Sequence, residues 1–253
     1  MKKIILVAII LLFFSPVNNS ASFMPEIIKK NITFLGEIKE FTPALNLKAP
    51  VDIQIDMQDN IYILDKGHQM IFIYNKNFIP LDKIDSSKGL LSPICFCVHD
   101  GFIFVSMLTG KEKRNGFISV FNSLGRLTRK IYFEDFPQAE DFIAKDIAID
   151  TNGNFYLAGG VGFPLIILDK KGTFLSSIYP SEQQMGKMVR ADVTAVALTD
   201  NEIYLLSEGM GRVYVFEKDG KFIRKFARKG GSTGKLSRPR GLTIDKKANL
   251  VYI

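Results

Sequence analysis

A repeat of about 47 residues constrains the fold of this 253-residue chain more than any other feature of its sequence. Each repeat contains four short apolar runs separated by turn residues, and no repeat has the pattern of a long amphipathic helix. One four-stranded sheet of this size cannot bury both of its faces, so neighbouring repeats must stack. The pattern predicts an all-β protein, a β-propeller of four-stranded antiparallel blades. The apolar residues that end the third strand of each repeat are 47, 47 and 48 positions apart: Tyr74, Phe121, Leu168 and Phe216.

The clearest unit is a strand, a tight turn and a second strand at residues 146–157. Apolar residues alternate before the turn, and residues 150–154 are Asp, Thr, Asn, Gly and Asn, a composition that favours a tight turn. In the hairpins after the third strands, three repeats place Gly at the expected left-handed position, whereas the first hairpin, Asn75–Asn77, is predicted to be shorter and to use Asn. About four complete repeats and part of a fifth are present. Their first strands are predicted at residues 51–56, 94–99, 145–150, 193–198 and 240–245.

Several repeats share a more specific pattern, Pro-x-x-apolar-x-apolar-Asp, then Asn-apolar-Tyr-apolar, then Asp-x-x-Gly-x-Phe. This pattern resembles the NHL repeat, and the resemblance extends over about residues 32–253. Two repeats depart from it: Cys97–Gly101 replaces the Asp-containing turn in the second, and Thr199 replaces Asp in the fourth. The resemblance implies a propeller, commonly of six blades, in which an N-terminal strand pairs with the last blade. The pattern is clearest at residues 50–65, 146–174 and 239–245.

The sequence ends inside the second predicted strand of the fifth repeat, at Val251–Ile253. Six blades of this period would need about 65–75 further residues. We therefore expect residues 23–253 to form an NHL-type propeller domain that is incomplete at its C-terminus. A lone strand predicted at Ile32–Ile38 would be the last strand of a repeat whose other strands come from elsewhere.

The N-terminus has the pattern of a secretory signal peptide, with Lys2 and Lys3 before the apolar run Ile4–Phe14. This run is too short to cross a bilayer comfortably, and Ser20–Ser22 offers a cleavage site. We assign residues 1–22 to a signal peptide and predict export to the periplasm or the cell exterior, with no transmembrane domain in the mature chain. An uncleaved N-terminal anchor is the alternative. Removing the leader lowers the net charge from +7 to +5, too small a surplus to favour nucleic acid as a partner.

The sequence provides few candidates for metal or thiol chemistry. Cys95 and Cys97 are two residues apart on a predicted strand, which places their Cα atoms about 6.5–7 Å apart, at the limit for a disulfide. We expect buried free thiols. His68 and His99 are the only histidines and lie in different repeat positions, whereas a zinc site needs three or four ligands. We predict no metal site and no cofactor.

The residues that recur are better explained by turns than by catalysis. Asp56, Asp150 and Asp245 lie at matching positions, and a catalytic group would usually occur once, so we interpret them as turn caps. In an up-and-down meander, the loops between second and third strands lie at the same end as the connections between repeats, where propellers usually bind ligands. These loops contain the candidate binding residues, which could equally be ordinary solvated side chains: His68, Lys113, Arg114, Glu208 and Arg212.

A basic segment follows the fourth repeat. Between Lys218 and Lys247 there are eleven Lys or Arg residues and two acidic residues, which suits an anionic polysaccharide, lipid headgroup or acidic protein, or simply a solvated edge. We predict an exported, non-catalytic NHL-type scaffold that binds a protein or glycan through its loop face. Two alternatives stay open: a propeller hydrolase or lyase whose metal site lies partly in blades missing from this chain, and an anion-binding surface module.

Overall fold

The computed structural model describes residues 11–13, 26–27, 36–38, 40–109, 116–248 and 250–253, with only the backbone described at 11–13 and 26–27. The chain divides into two compact units: the three-blade unit, Phe34–Ile178, and the fourth-blade unit, Met1–Thr33 with Tyr179–Ile253. The strands are β1 (Leu11–Phe13), β2 (Glu26–Ile27), β3 (Glu40–Thr42), β4 (Leu45–Asn46), β5 (Pro50–Ile55), β6 (Ile61–Asp65), β7 (Met70–Tyr74), β8 (Pro80–Ile84), β9 (Pro93–His99), β10 (Phe102–Leu108), β11 (Gly116–Asn122), β12 (Leu127–Tyr132), β13 (Asp146–Ile149), β14 (Phe155–Ala158), β15 (Leu165–Leu168), β16 (Phe174–Ile178), β17 (Ser181–Gln184), β18 (Lys187–Arg190), β19 (Ala195–Leu198), β20 (Glu202–Ser207), β21 (Arg212–Glu217), β22 (Phe222–Phe226), β23 (Thr243–Asp245) and β24 (Leu250–Tyr252).

Four sheets each contain four consecutive strands joined as an antiparallel meander, which is the topology of a propeller blade. Blade 1 is β5–β8, blade 2 is β9–β12, blade 3 is β13–β16 and blade 4 is β19–β22, while β23 and β24 begin a fifth. The only helical segments among the described residues are two short 3-10 turns, Ser86–Lys88 and Ala139–Asp141. The predicted all-β fold, with four complete blades and part of a fifth, is confirmed.

The repeat is visible in the backbone as a bulge near the end of each third strand. In all four blades the pairing of the third and fourth strands shifts register immediately before the residue from which the period was counted. A bulge adds one residue to one strand and increases the local twist of the sheet. The repeated sequence pattern therefore encodes a repeated irregularity as well as repeated strands. The four shifts precede Tyr74, Phe121, Leu168 and Phe216.

The hairpins that follow these bulges share one backbone turn geometry, and in three of them a side-chain oxygen accepts backbone N–H groups two and four residues on. This oxygen belongs to Asn75, Asn122 or Asp169. The fourth turn residue has positive φ and is glycine in three hairpins: Gly125, Gly172 and Gly220. In the first hairpin it is Phe78, with φ of 64°. The prediction of a shorter first hairpin with Asn at this position is wrong, because the side chain of Asn75 fixes the same turn and the ring of Phe78 packs directly on Gly36.

The blades of the three-blade unit are buried against one another through both faces of their second and third strands. Alternate side chains of a strand point to opposite faces, so each strand contributes to two interfaces. Tyr62 and Leu64 of blade 1 pack with Phe96 of blade 2. On the other face of blade 2, Phe104 meets Phe155 of blade 3 edge-on, with ring centroids 5.4 Å apart. Burying each such ring stabilises the folded chain by about 2 kcal/mol, so the blades stabilise one another.

A hairpin outside the repeat, β3–β4, covers the remaining face of blade 1. Phe41 lies with its ring centroid 5.2 Å from that of Phe72 and 5.8 Å from that of Tyr74. The strand predicted at Ile32–Ile38 is wrong for residues 36–38, which are irregular, and residues 32–35 lie outside the described part of the chain. The side chain of Ile38 is partly buried and packs against the cluster under the hairpin, as does that of Phe41.

The strand that pairs with β24 comes from the extreme N-terminus. β1 runs antiparallel to β24, with Leu12 opposite Val251, and β2 pairs with β1. β1 lies within the predicted signal peptide, most of which is outside the described residues, and the predicted pairing partner was Ile32–Ile38. In the part of the chain that the structure describes, no helix combines the length and apolar character needed to cross a bilayer.

Candidate functional site

Asp65, the last residue of β6, holds the loop between the second and third strands of blade 1. Its carboxylate is fully buried. Oδ1 accepts the backbone N–H of His68 at 2.9 Å, and Oδ2 accepts those of Lys48 and Ala49 on the connection that enters the blade. Hydrogen bonds to an ionised carboxylate are stronger than those between neutral groups. One buried side chain therefore ties this loop to the incoming chain.

His68 lies on top of this anchor and is the first of the predicted binding residues. Its Nδ1 is 3.3 Å from Asp65 Oδ1, and its side chain is 26% exposed. The imidazole also meets Phe72 edge-on, with ring centroids 6.2 Å apart. The structure thus places His68 in the expected loop, partly exposed and packed on one side, and its part in ligand binding stays a prediction.

The equivalent loop of blade 4 is held by Ser207 and Asp192. The Ser207 hydroxyl is fully buried and donates to Asp192 Oδ1, while its Oγ accepts the backbone N–H of Met210. Asp192 Oδ2 accepts the N–H of Gly209 at 3.2 Å. Glu208, a predicted binding residue, is half-buried in this loop, and its carbonyl oxygen accepts the Gly211 N–H.

Arg212, also a predicted binding residue, is engaged in an ion pair. Its Nη1 lies 2.9 Å from Glu182 Oε2, and Lys225 Nζ lies 2.7 Å from the same oxygen. Burial raises the pKa of Glu182, but hydrogen bonds from Lys225 and Gln184 and the charge of Arg212 outweigh it and lower the pKa below its usual value. Glu182 belongs to the β17–β18 hairpin, which the repeat did not predict. Arg212 therefore fastens this hairpin to blade 4.

The predicted residues are divided between the two compact units. His68 belongs to the three-blade unit, and Glu208 and Arg212 belong to the fourth-blade unit. Lys113 and Arg114 lie outside the described residues. Asp65 is not among the predicted residues, although a carboxylate directly after the apolar run 61–64 is a usable signal of a buried anchor. The two acidic partners of blade 4, Asp192 and Glu182, are not among them either, and their sequence neighbours give no such signal.

The basic segment between Lys218 and Lys247 separates into paired and unpaired cations. Four of its members form ion pairs, namely Lys221–Glu217 at 3.1 Å, Arg224–Glu202 at 2.7 Å, Lys225–Glu182 at 2.7 Å and Lys246–Asp200 at 2.8 Å. Lys218 acts electrostatically on Asp200. The other cations form no ion pair with a described acidic residue, and five of them lie close together in the chain: Arg228, Lys229, Lys235, Arg238 and Arg240.

Residues 228–240, here called the basic loop, have a defined backbone. The Leu236 N–H donates to the Arg228 carbonyl at 2.9 Å, and the Gly230 N–H donates to the Leu236 carbonyl at 3.1 Å. Leu236 is buried in the core of the fourth-blade unit. A Cβ placed on Gly211 would come within 2.7 Å of Lys229 Cα. The basic loop therefore packs directly on the loop that contains Glu208, which puts an inter-blade connection beside a second–third strand loop, as predicted.

The recurring aspartates are turn caps, as the sequence analysis proposed. Asp56 Oδ1 accepts the backbone N–H groups of Gln58 and Asn60, and its Oδ2 accepts the Tyr62 hydroxyl at 3.0 Å. Burial raises the pKa of Asp56, but hydrogen bonds from Asn60 and Tyr62 outweigh it and lower the pKa. Asp150 repeats this arrangement, and simpler caps occur in the later repeats: Thr199 accepts the Glu202 N–H and Asp245 accepts the Ala248 N–H.

Both cysteines are free, as predicted, with Cys95 buried and Cys97 half-buried. Burial raises the pKa of Cys97 to about 12 and that of Cys95 well above its usual value, so both are thiols at neutral pH. Burial also raises the pKa of the neighbouring Asp52 to about 6, although this carboxylate accepts the Phe96 N–H at 3.1 Å. Among the described residues, no three His, Cys, Asp or Glu side chains are placed to hold a metal ion.

An open cavity of about 640 Å³ lies in the three-blade unit, beside the connection from blade 2 to blade 3. Glu134, Asp135 and Glu140 contribute to its lining together with the exposed ring of Tyr132, which stacks on Phe117. Gly116, which follows the loop that contains the predicted residues Lys113 and Arg114, also contributes to the lining.

Comparison with known proteins identifies the fold. Residues 187–253 match a family model described as a 6-bladed beta-propeller. Similar solved structures include a streptogramin B lyase (15% identity, TM-score 0.57, covering 85% of this chain and 65% of the lyase). They also include virginiamycin B lyase from Staphylococcus aureus (14%, 0.52, 81% and 63%) and a protein of unknown function from Bacteroides thetaiotaomicron (12%, 0.61, 83% and 53%). No curated protein sequence is significantly similar to the chain.

The fold is a β-propeller. The chain spans less than two thirds of the length of these solved propellers, and identities of 12–15% show the fold alone. The six blades in the family description agree with the number that the resemblance implied. The NHL assignment itself stays a prediction.

Proposed function

We propose that the chain is part of an exported, non-catalytic β-propeller that binds a protein or a glycan through its loop face. The proposal rests on the way in which two separate blades fix the loop between their second and third strands. In each, a buried side-chain oxygen at the end of the second strand accepts the backbone N–H three residues on, from His68 in blade 1 and Met210 in blade 4. Loops that are ordered before binding lose little conformational entropy when a ligand binds.

The side chains on these fixed loops suit a polar ligand. His68 and Glu208 are both partly exposed, and each extends from a backbone tied to the core of its unit. Polar groups on a rigid frame provide orientation and specificity in recognition sites. This supports recognition of a protein or glycan surface.

A binding screen tests the proposal directly. The purified protein is measured against a glycan array and a panel of secreted proteins, and any ligand is then tested with His68→Ala, Glu208→Ala and the pair Lys113→Ala and Arg114→Ala. A loss of about 5- to 10-fold in affinity is expected from at least one of them. Lys76→Ala and Lys171→Ala are the matched controls, because they lie on hairpins at the other end of their strands. A loss in the controls equal to that in the loop variants would contradict the assigned face.

Export is a separate part of the proposal and has its own test. The natural protein is recovered from the envelope or the medium, and its mass is expected to correspond to a chain without residues 1–22. An intact N-terminus in the membrane fraction would favour the uncleaved anchor, and recovery from the cytosol would contradict export. Because Leu11–Phe13 pairs with β24, the same measurement shows whether this pairing persists in the mature protein.

A lyase is the second candidate, favoured by the similarity to two solved lyases. A further similar structure is a catalytically inactive histidine-to-alanine variant of virginiamycin B lyase with quinupristin (14% identity, TM-score 0.52, covering 81% of this chain and 63% of that chain). The test incubates the longest natural form of this protein with quinupristin and divalent metal ions and follows products by mass spectrometry. Turnover that His68→Ala or His99→Ala abolishes would establish the lyase and contradict the non-catalytic proposal. Unchanged quinupristin would support binding alone.

A further inference from the structure

The positive charges of the fourth-blade unit are unevenly neutralised. The cations of the basic segment that lie in or next to β22 form ion pairs with carboxylates. An example is the bidentate contact of Arg224 with Glu202, at 2.7 and 3.0 Å. No acidic residue occurs in the sequence between Asp219 and Asp245. The five cations of the basic loop thus form a concentrated positive surface without an internal counter-charge among the described residues. Their charge is available to a partner.

The basic loop holds these cations on an ordered frame. It is closed by a parallel bridge between Lys229 and Leu236, and the Lys235 N–H donates to the Ser232 carbonyl at 3.0 Å. The alkyl chain of Lys235 lies across Gly230, where an added Cβ would come within 2.4 Å of Lys235 Cδ. An ordered cationic loop loses less entropy on binding than a mobile basic tail would.

The remaining side chains of the basic loop decide between classes of partner. Its only large apolar residues, Leu236 and Pro239, are buried, whereas Ser232, Thr233 and Ser237 are exposed. A stable protein interface usually contains an apolar core, and a membrane-bound loop usually inserts apolar side chains. A polar, hydroxyl-rich and cationic surface matches the carboxylate or sulfate groups and the hydroxyls of an acidic polysaccharide. Arginine suits such groups because its guanidinium binds them in a bidentate manner.

We infer that the basic loop is a binding site for an acidic polysaccharide, with Arg228, Arg238 and Arg240 as its main contacts. All three are exposed. The inference rests on the proposed function and specifies its ligand: a glycan with repeated carboxylate or sulfate groups that contacts the loop face of blade 4. The adjoining loop, fixed by Ser207 and Asp192, would border the bound chain.

The test measures binding of polygalacturonate and dextran sulfate by calorimetry or biolayer interferometry, with neutral dextran as the reference. The triple variant Arg228→Ser, Arg238→Ser and Arg240→Ser is expected to weaken polyanion binding at least 10-fold. The matched control is Lys76→Ser, Lys171→Ser and Lys187→Ser, which removes the same charge from exposed sites elsewhere and is expected to cost less than 2-fold. Arg238→Lys with Arg240→Lys should give an intermediate loss, because charge is kept and the bidentate geometry is not. Circular dichroism and the thermal midpoint establish that each variant is folded.

The other partner classes are outcomes of the same experiment. Affinity should fall steeply between about 50 and 200 mM salt. Tighter binding to phosphatidylglycerol vesicles, polyglutamate or single-stranded RNA than to the acidic polysaccharides would overturn the inference, as would equal losses in the triple variant and its control. Absence of binding to all polyanions would also overturn it. A different result would contradict the proposed binding function itself: the glycan and protein panels would yield no ligand, whether charged or neutral.

Discussion

In blade 1 the oxygen that holds the loop between the second and third strands belongs to Asp65, whereas in blade 4 the equivalent residue is Ser207. Each is the last residue of its second strand and pairs with the first residue of the third. Each accepts the backbone N–H three residues on. The difference lies in the connection that enters the blade: in blade 1 it supplies the backbone donors of Lys48 and Ala49, and in blade 4 it supplies the carboxylate of Asp192.

Blades 1 and 4 therefore hold this loop with the same kind of carboxylate-centred hydrogen-bond network, built from different parts of the blade. A buried carboxylate must have its acceptor positions satisfied, and either arrangement satisfies them. The consequence for the two loops differs. The blade 1 carboxylate is wholly buried and lies beneath His68, whereas Asp192 is half-buried and borders the loop that packs on the basic loop.

The largest expected effect comes from removing the buried carboxylate of blade 1. Asp65→Ala leaves three backbone N–H groups without their acceptor and should lower the free energy of unfolding by about 3–5 kcal/mol, measured by urea denaturation. Asp65→Asn is the matched control, since it keeps one acceptor oxygen and should lose about half as much. A loss below about 1 kcal/mol for the alanine variant would show that blade 1 does not depend on this anchor.

A second carboxylate of blade 1 has no counterpart in blade 4. Asp52 is paired with Leu64, one residue before the anchor, and the same position in blade 4 is Ala195, paired with Leu206. The pKa of Asp52 is raised from 3.8 to about 6. The folded state therefore binds the proton more tightly, and the stabilisation is complete below pH 3.8 and is lost as the pH rises through about 6.

Asp52→Asn should remove this pH dependence, because the amide keeps an acceptor for the Phe96 N–H and carries no charge. At pH 7 the variant should be more stable than the natural chain by about 1–3 kcal/mol. Urea denaturation at pH 4.5 and pH 7.5 measures the effect. If the variant and the natural chain show the same dependence on pH, Asp52 is not the group that titrates.

Asp192→Ala tests the anchor of blade 4 and should have a smaller effect than Asp65→Ala, about 1–2 kcal/mol, because Asp192 is half-buried. Hydrogen exchange at the Gly209 and Met210 amides should accelerate, since both belong to this network. The double variant Asp192→Ala with Ser207→Ala should have a free energy of unfolding within a few tenths of a kcal/mol of that of Asp192→Ala alone. Fully additive losses would mean that the two residues act independently.

The smallest effects are expected at the tyrosines that close the turns at the other end of the two blades. The Tyr204 hydroxyl donates to Glu202 at 2.6 Å and accepts from Arg224 at 2.9 Å, whereas the Tyr62 hydroxyl donates only to Asp56 among the contacts described. Tyr204→Phe should therefore cost about 1 kcal/mol and Tyr62→Phe about half as much, as shifts in the thermal midpoint. Equal shifts would show that the Arg224 contact contributes nothing measurable.

Much of the fold could be predicted from the sequence because the signals are local. The turn caps act over two to four residues, as when Asp56 accepts from Gln58 and Asn60, and strand alternation acts over two. The exceptions have physical causes of their own. Phe78 occupies a left-handed position because Asn75 fixes the turn and Gly36 supports the ring.

The candidate site could be predicted only in outline. The second–third strand loops lie where the repeat placed them, but the residues that fix them were not recognised. Asp65 reaches Lys48 across 17 positions, and Ser207 reaches Asp192 across 15. Arg212 was predicted as an exposed binding residue, but its Nη1 pairs with Glu182, 30 positions away on a hairpin that the repeat does not contain. No local pattern reports such partners.

By itself, the sequence determined the unit of this protein: a four-stranded sheet with carboxylate- or amide-capped turns, repeated about every 47 residues. These properties follow from side-chain alternation and turn chemistry, which operate between near neighbours. Only the tertiary structure decided which cations are neutralised. The carboxylates that pair with Arg224 and Lys246 lie 22 and 46 positions away. The sequence therefore shows one continuous basic segment, whereas in the folded chain mainly the basic loop is left without ion pairs to described acidic residues.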